Sequence, residues 1–116
     1  MNALGEYIRT RREQLHDDDP AFSLRRTAQR IGVGAAYLSQ VETGKQIPTN
    51  DRITALAEDL DLDPDTTLAM AGRVADDIVA VIAARPALFT DLIRQLRDLP
   101  DHAVARVVRE VADGDW

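Results

Sequence analysis

The stretch from Ser23 to Glu42, SLRRTAQRIGVGAAYLSQVE, constrains this chain more than any other. It reads as two short helices joined by a tight turn. Ala28 lies where the two helices cross closely, so a larger side chain would part them. Gly32 follows Ile31 at a helix C-terminus, where the chain needs φ > 0 and any Cβ is costly. Val33 then tucks into the angle between the helices, and Leu38 plugs the far side. Small and apolar residues at these positions leave few other ways to fold the segment.

The flanking sequence supplies helices for it to pack on. A first helix is predicted from Asn2 to His16, with Leu4, Ile8 and Leu15 on one face and Tyr7, Arg11 and Arg12 alongside. HDDDPAF reads as a polar loop closed by Ser23, an N-cap residue. Helix two is expected at Leu24–Ile31 and helix three at Ala35–Glu42. After a loop from Thr43 to Pro48, Thr49 caps a fourth helix, Asn50–Leu60. Asp63 and Pro64 form a cap and first-turn proline before a fifth, Asp65–Ala71, which Gly72 ends. Three apolar-faced segments follow, split by Pro86 and Pro100. Ile78, Val79 and Ile82 mark the first. Leu88, Leu92, Leu96 and Leu99 mark the second, with Phe89 and Ile93 beside them. Val104, Val107, Val108 and Val111 mark the third. Spacings of three and four are those of amphipathic helices. No stretch alternates as a strand does, so the expected fold class is all-α.

Composition narrows the function classes. The chain has 116 residues and no Cys, so disulfides, thiolate metal sites and thiol nucleophiles are excluded. The amphipathic, charged N-terminus is not a signal peptide. No apolar run approaches the ~20 residues needed to cross a bilayer. A cytoplasmic protein without a membrane partner is expected. His16 and His102 stand apart with no metal-ligand spacing, and the carboxylates sit in caps, turns and solvent faces. No nucleophile has a base near it and no glycine-rich loop could cradle a phosphate, so neither an enzyme nor a cofactor or metal site is expected. The net charge of −6 is unevenly distributed. Residues 1–49 hold seven basic and six acidic groups, a balance of +1, and residues 50–116 carry −7. An acidic chain can therefore still carry a weakly positive face in its first half.

The Ser23–Glu42 layout is that of a helix-turn-helix, whose second helix is presented to the DNA major groove. With its surroundings it resembles the Cro/cI-type helix-turn-helix of phage repressors and xenobiotic-response-element regulators. Arg12 and Glu42 resemble that family's buried Arg–Glu pair. Glu42-Thr43-Gly44-Lys45 resembles its E-x-G-K/R turn, and Pro48-Thr49 with Ile53, Leu56, Ala57 and Leu60 resembles its fourth helix. Leu62, Asp63 and Leu68 resemble its fifth. The resemblance covers about residues 3–72 and implies a five-helix lambda-repressor-like DNA-binding bundle, here residues 1–72, followed by a C-terminal helical segment, residues 73–116. There are departures. Thr27 replaces a usual Leu, where its methyl can be buried and its hydroxyl can bond back to the helix. Leu24 replaces a phosphate-binding Gln, and Gly34 stands where Ser or Thr more often caps.

The resemblance implies base contacts from helix three. Gln40 matches the family's base-reading Gln, and such an amide can bond adenine N6 and N7 together. Ala35 and Ala36 occupy two further base-reading places, where they offer only methyl contacts or a close approach. Tyr37 reaches a thymine methyl or a phosphate, or else packs against helix two. Thr43 and Lys45 follow the recognition helix, where relatives meet the DNA backbone. Arg25 and Arg26 open helix two, whose N-terminal amides also favour phosphate. Ser39 joins the phosphate set as its weakest member, since its hydroxyl more often bonds its own helix. Asp17, Asp18 and Asp19 would repel phosphate if they faced it.

One helix-turn-helix buries little DNA, and two half-sites one helical turn apart multiply affinity. Residues after Gly72 hold more large aliphatics than a five-helix bundle needs. They are expected to form a homodimer interface through Leu88, Leu92, Leu96, Val104, Val108 and Val111, or else to cap the monomer. The leading expectation is a dimeric repressor that binds double-stranded DNA at a palindromic operator. The alternative is a protein-binding module, an antitoxin or adaptor, whose main partner docks on the C-terminal region.

Overall fold

Helix α1 (Ala3–His16) buries Leu4, Gly5, Ile8 and Arg12 along one face. The computed structural model describes residues 3–116, so the helix start expected at Asn2 lies outside the described residues. A 3₁₀ turn, Pro20–Phe22, follows. Asp19 caps it by accepting the Ala21 N–H at 2.9 Å, and Phe22 packs against the core. HDDDPAF is thus not a plain polar loop. A single aromatic among carboxylates carries no periodicity, so its packing was not predictable from pattern.

Helix α2 (Leu24–Arg30) starts at Ser23, whose hydroxyl accepts the Arg26 N–H at 3.2 Å. Gly32 follows the helix end with φ 77°, the left-handed conformation that its lack of a Cβ permits. Helix α3 (Ala35–Glu42) comes next, then α4 (Asn50–Asp59) and α5 (Pro64–Met70). Ile31 and Leu60 are C-caps rather than last helical residues, and α5 begins and ends one residue before the predicted limits. Asp63 caps α5, accepting the Thr66 N–H at 2.9 Å and its hydroxyl at 2.7 Å.

Helix α1 packs against α3 and α5, α2 against α3, and α4 against α5. Their shared core is Leu4, Ile8, Ala28, Leu38, Val41, Ile53, Leu56, Leu60 and Leu68. Each large aliphatic among them contributes ~1.5–3 kcal/mol by leaving water. The α1–α3 crossing depends on Gly5. A Cβ there would lie 2.5 Å from the Val41 carbonyl oxygen and 2.7 Å from that of Glu42. Thr27 is fully buried, and its hydroxyl oxygen accepts Arg30 Nη2 at 3.3 Å. Thr27 is buried as expected, but its hydroxyl meets the Arg30 side chain where a bond back to the helix backbone was expected.

Gly72, at φ 71°, turns the chain after α5. Arg73 then donates to the Pro48 carbonyl and, at 3.1 Å, to Asn50 Oδ1, and Ala75 packs against the core. The chain divides into two compact units, residues 1–75 and 76–116, so the break lies three residues beyond the one expected at Gly72. The second unit comprises α6 (Asp76–Ala84), α7 (Pro86–Leu96) and α8 (Asp101–Asp113), with α6 packed on α7. None of its residues is buried. Among the described residues every regular element is helical.

Candidate nucleic-acid interface

Helix α3 is divided lengthwise. Leu38, Val41 and Glu42 are buried, whereas Ala36 and Gln40, one turn apart, are exposed. Ala35, Tyr37 and Ser39 are half-buried between these sides. The Gly34 cap makes no side-chain hydrogen bond. At the other end the Gln40 carbonyl accepts the Lys45 N–H at 2.8 Å, the Gln46 N–H at 3.2 Å and the Thr43 hydroxyl at 3.3 Å. The turn that carries Lys45 is thereby tied to the backbone of Gln40. Thr43 also donates to the Ser39 carbonyl at 3.0 Å, so its hydroxyl is already engaged by its own helix. Lys45, Arg25 and Arg26 are exposed.

Two ion pairs tie the turn motif to the other helices. Arg12 Nε donates to Glu42 Oε2 at 2.7 Å and Nη2 to Oε1 at 2.9 Å, a two-pronged pair with both side chains buried. Arg12 Nη1 reaches the Phe22 carbonyl at 3.2 Å. The hydrogen bond to Glu42 raises the Arg12 guanidinium above its ordinary value, so the cation is permanent. The pair fixes the end of α3 to α1. The second pair, Arg30 to Asp59 at 2.7 and 2.9 Å, joins α2 to α4. Arg30 also lies 4.9 Å from the Phe22 ring centroid and donates to the Ala21 carbonyl. Both helices of the turn motif are therefore tied to the rest of the bundle by charged, directional contacts.

Tyr37 has a partner that the sequence did not announce. Arg52, in the first turn of α4, sits with its guanidinium 5.3 Å from the Tyr37 ring centroid, and its Nη1 lies 3.5 Å from the Tyr37 hydroxyl. The ring packs against the core on its inner side. Besides Phe22, pattern reading missed Gly5, Arg30–Asp59 and Tyr37–Arg52, each of which joins residues at least 15 positions apart, and none repeats at helical spacing. Asp19 is occupied as the cap of the 3₁₀ turn.

The residues expected at a dimer interface lie in the second unit. Leu88 is 70% exposed, Val108 63%, Val111 57% and Leu92 46%, while Leu96 and Val104 are half-buried. Ile78, Val79, Val81, Ile93 and Leu99 of the same unit are also exposed. Among the described residues no His, Cys, Asp and Glu cluster is arranged to hold a metal ion, and no helix is long and apolar enough to cross a membrane.

The helix-turn-helix domain family matches residues 3–70, the span that holds α1 to α5. Two proteins of Mycobacterium tuberculosis are also similar, one from strain CDC 1551/Oshkosh and one from H37Rv. Each is named an uncharacterized HTH-type transcriptional regulator and is 33% identical over 87 residues. That alignment covers 75% of this chain and 57% of each relative, so the chain spans little more than half their length. No solved structure matches significantly. With more than half of its residues in the matched span, and with a buried-backed, solvent-edged α3 within it, the chain belongs to the helix-turn-helix domain family.

Proposed function

We propose that this protein is a transcriptional regulator that binds double-stranded DNA as a homodimer and represses from a palindromic operator. The observation that carries the reading is the division of α3, buried at Leu38, Val41 and Glu42 and exposed at Ala36 and Gln40. A helix clamped on one side and open to solvent on the other is what a major groove accepts. Gln40 supplies the specific bonds, and Ala35 and Ala36 let the helix sit close to the bases. Tyr37 lines the edge of the contact. Arg25, Arg26, Ser39 and Lys45 meet phosphates, which position the helix without reading sequence; Thr43 joins them only by exchanging its hydroxyl bond to the Ser39 carbonyl for one to phosphate. The relatives' name as transcriptional regulators supports the same reading. Repression needs only occupancy of the operator in the cytoplasm, and no cofactor or catalytic step enters.

The second unit supports the dimer. Its uncovered aliphatics, Leu88, Leu92, Val108 and Val111 with half-buried Leu96 and Val104, offer a face for the same face of a second copy. The same exposure also suits a different protein partner, as the adaptor reading requires. Sedimentation of the full chain at rising concentration separates these: a monomer–dimer equilibrium supports the homodimer, and a monomer at every concentration supports the adaptor.

The DNA reading is tested by selecting duplexes from a random pool and measuring fluorescence anisotropy. Selection is expected to return an inverted repeat. Gln40→Ala is expected to relax preference at one position per half-site, by ~1–3 kcal/mol. Equal, weak binding to all duplexes overturns the reading.

A further inference from the structure

Charge pairing within the first unit singles out an additional contact residue. Arg9, Arg12 and Arg30 are paired with carboxylates, and Arg11 and Arg73 donate to main-chain carbonyls. Arg25, Arg26, Lys45 and Arg52 have neither kind of partner among the described residues. Three of these four are the cations already proposed to meet phosphate. The fourth, Arg52, was not suggested by any sequence motif, yet it is exposed and stands over Tyr37 on the edge of α3.

We infer that Arg52 is a phosphate-contacting residue that also positions Tyr37. Its backbone is held at the start of α4, where the Thr49 hydroxyl accepts the Arg52 N–H at 3.4 Å. Its guanidinium lies against the Tyr37 ring, with Nη1 near the hydroxyl at 3.5 Å. A guanidinium has five N–H donors in a planar fork, so one contact to tyrosine leaves the remainder for a phosphate. The stacked ring limits the rotamers of Arg52, and Arg52 in turn fixes the ring against α3. The pair carries positive charge from α4 onto the groove-facing helix, where Ala35 and Ala36 bring none. Asp51, beside Arg52 in the chain, is exposed and makes no ion pair with it within 4.0 Å.

This inference rests on the DNA reading, and the salt dependence of binding tests the two separately. Affinity of the full chain for its selected duplex is measured from 50 to 300 mM salt, for wild type, Arg52→Ala, Arg52→Lys, Lys45→Ala and, as a control in the second unit, Arg109→Ala. Removing one phosphate-binding cation reduces the slope of log K against log salt by ~0.9, hence ~2 for a symmetric dimer. Arg52→Ala is expected to show that reduction with similar weakening on all duplexes, as Lys45→Ala does. Arg109→Ala is expected to match wild type. Arg52→Lys keeps the charge, so it retains most of the slope. Tyr37→Ala and Arg52→Ala combined are expected to weaken binding less than the product of the single effects, because either one dissolves the pair. A wild-type slope that Lys45→Ala reduces and Arg52→Ala leaves unchanged overturns the inference alone. A flat wild-type slope overturns the DNA reading and this inference with it. Circular dichroism melts show that each variant is folded.

Discussion

The two units of this protein use similar helices to opposite ends. The first unit builds a core from its apolar faces, with Leu4, Ile8, Leu38, Ile53 and Leu60 withdrawn from water. Residues 76–116 are at least as amphipathic, with valines of α8 at positions 104, 107, 108 and 111, yet not one residue is buried. Helix α6 goes further and is apolar nearly all round, from Ile78 to Ala84, a composition typical of buried helices. The lesson is that amphipathicity says a face will be covered but not by what. In the first unit the cover is other segments of the same chain. In the second, exposed aliphatics in such number favour a partner, which is why self-association is proposed there.

The contrast can be broken most sharply at the buried ion pair. Glu42→Ala is expected to cost ~3–5 kcal/mol in chemical denaturation, because it strands the buried Arg12 cation. An unchanged midpoint would show that the pair does not clamp α3. Gly5→Ala comes next, at ~1–3 kcal/mol, since the added methyl meets backbone oxygens that cannot swing aside. Substitutions in the second unit should behave differently. Leu88→Ser with Val108→Ser is expected to change the unfolding free energy of the monomer by only ~0.5 kcal/mol. It should also abolish the concentration dependence of the melting temperature that a dimer shows. Equal destabilisation at all concentrations would mean that these side chains serve the monomer.

Two smaller effects sharpen the picture of the first unit. Asp61 adopts φ 54° in the turn before α5, a conformation that strains a residue with a Cβ. Asp61→Gly is expected to stabilise slightly, by ~0.5 kcal/mol once glycine's extra chain entropy is set against the relief. The smallest effect concerns pH. The Thr66 hydroxyl and N–H hold the Asp63 carboxyl below its ordinary 3.8. Because the folded value is the lower one, the cap's contribution is full above pH ~4 and disappears as pH falls through the depressed value. Asp63→Ala should therefore melt below wild type at neutral pH and approach it as pH falls through that depressed value. A difference that persists at low pH would assign the effect to something other than the carboxylate.

Much of the first unit was legible. Helix α3 runs from Ala35 to Glu42 as expected, Ser23, Thr49 and Asp63 cap as expected, and Gly32 and Gly72 have positive φ. These are short-range features, set by sterics and hydrogen bonds within a few residues. The missed ones are of another kind. Nothing near Gly5 in the chain requires glycine; the requirement comes from carbonyls of Val41 and Glu42. Phe22 was hidden among acidic neighbours, and its ring finds the Arg30 guanidinium only once α2 turns back toward it. The candidate site divides the same way, with Gln40 and Lys45 visible in the motif and Arg52 invisible.

The amino-acid order by itself determined the helical periodicity, the caps and the turn between α2 and α3, because those depend on neighbours one to four positions away. It also determined that acid would gather after residue 49. Only the tertiary structure decided which cations are consumed inside the molecule and which stay free, since carboxylates and guanidiniums up to 30 positions apart pair by proximity in space. It likewise decided that no residue of the last three helices is buried by this chain alone, because burial is a property of what stands opposite a face.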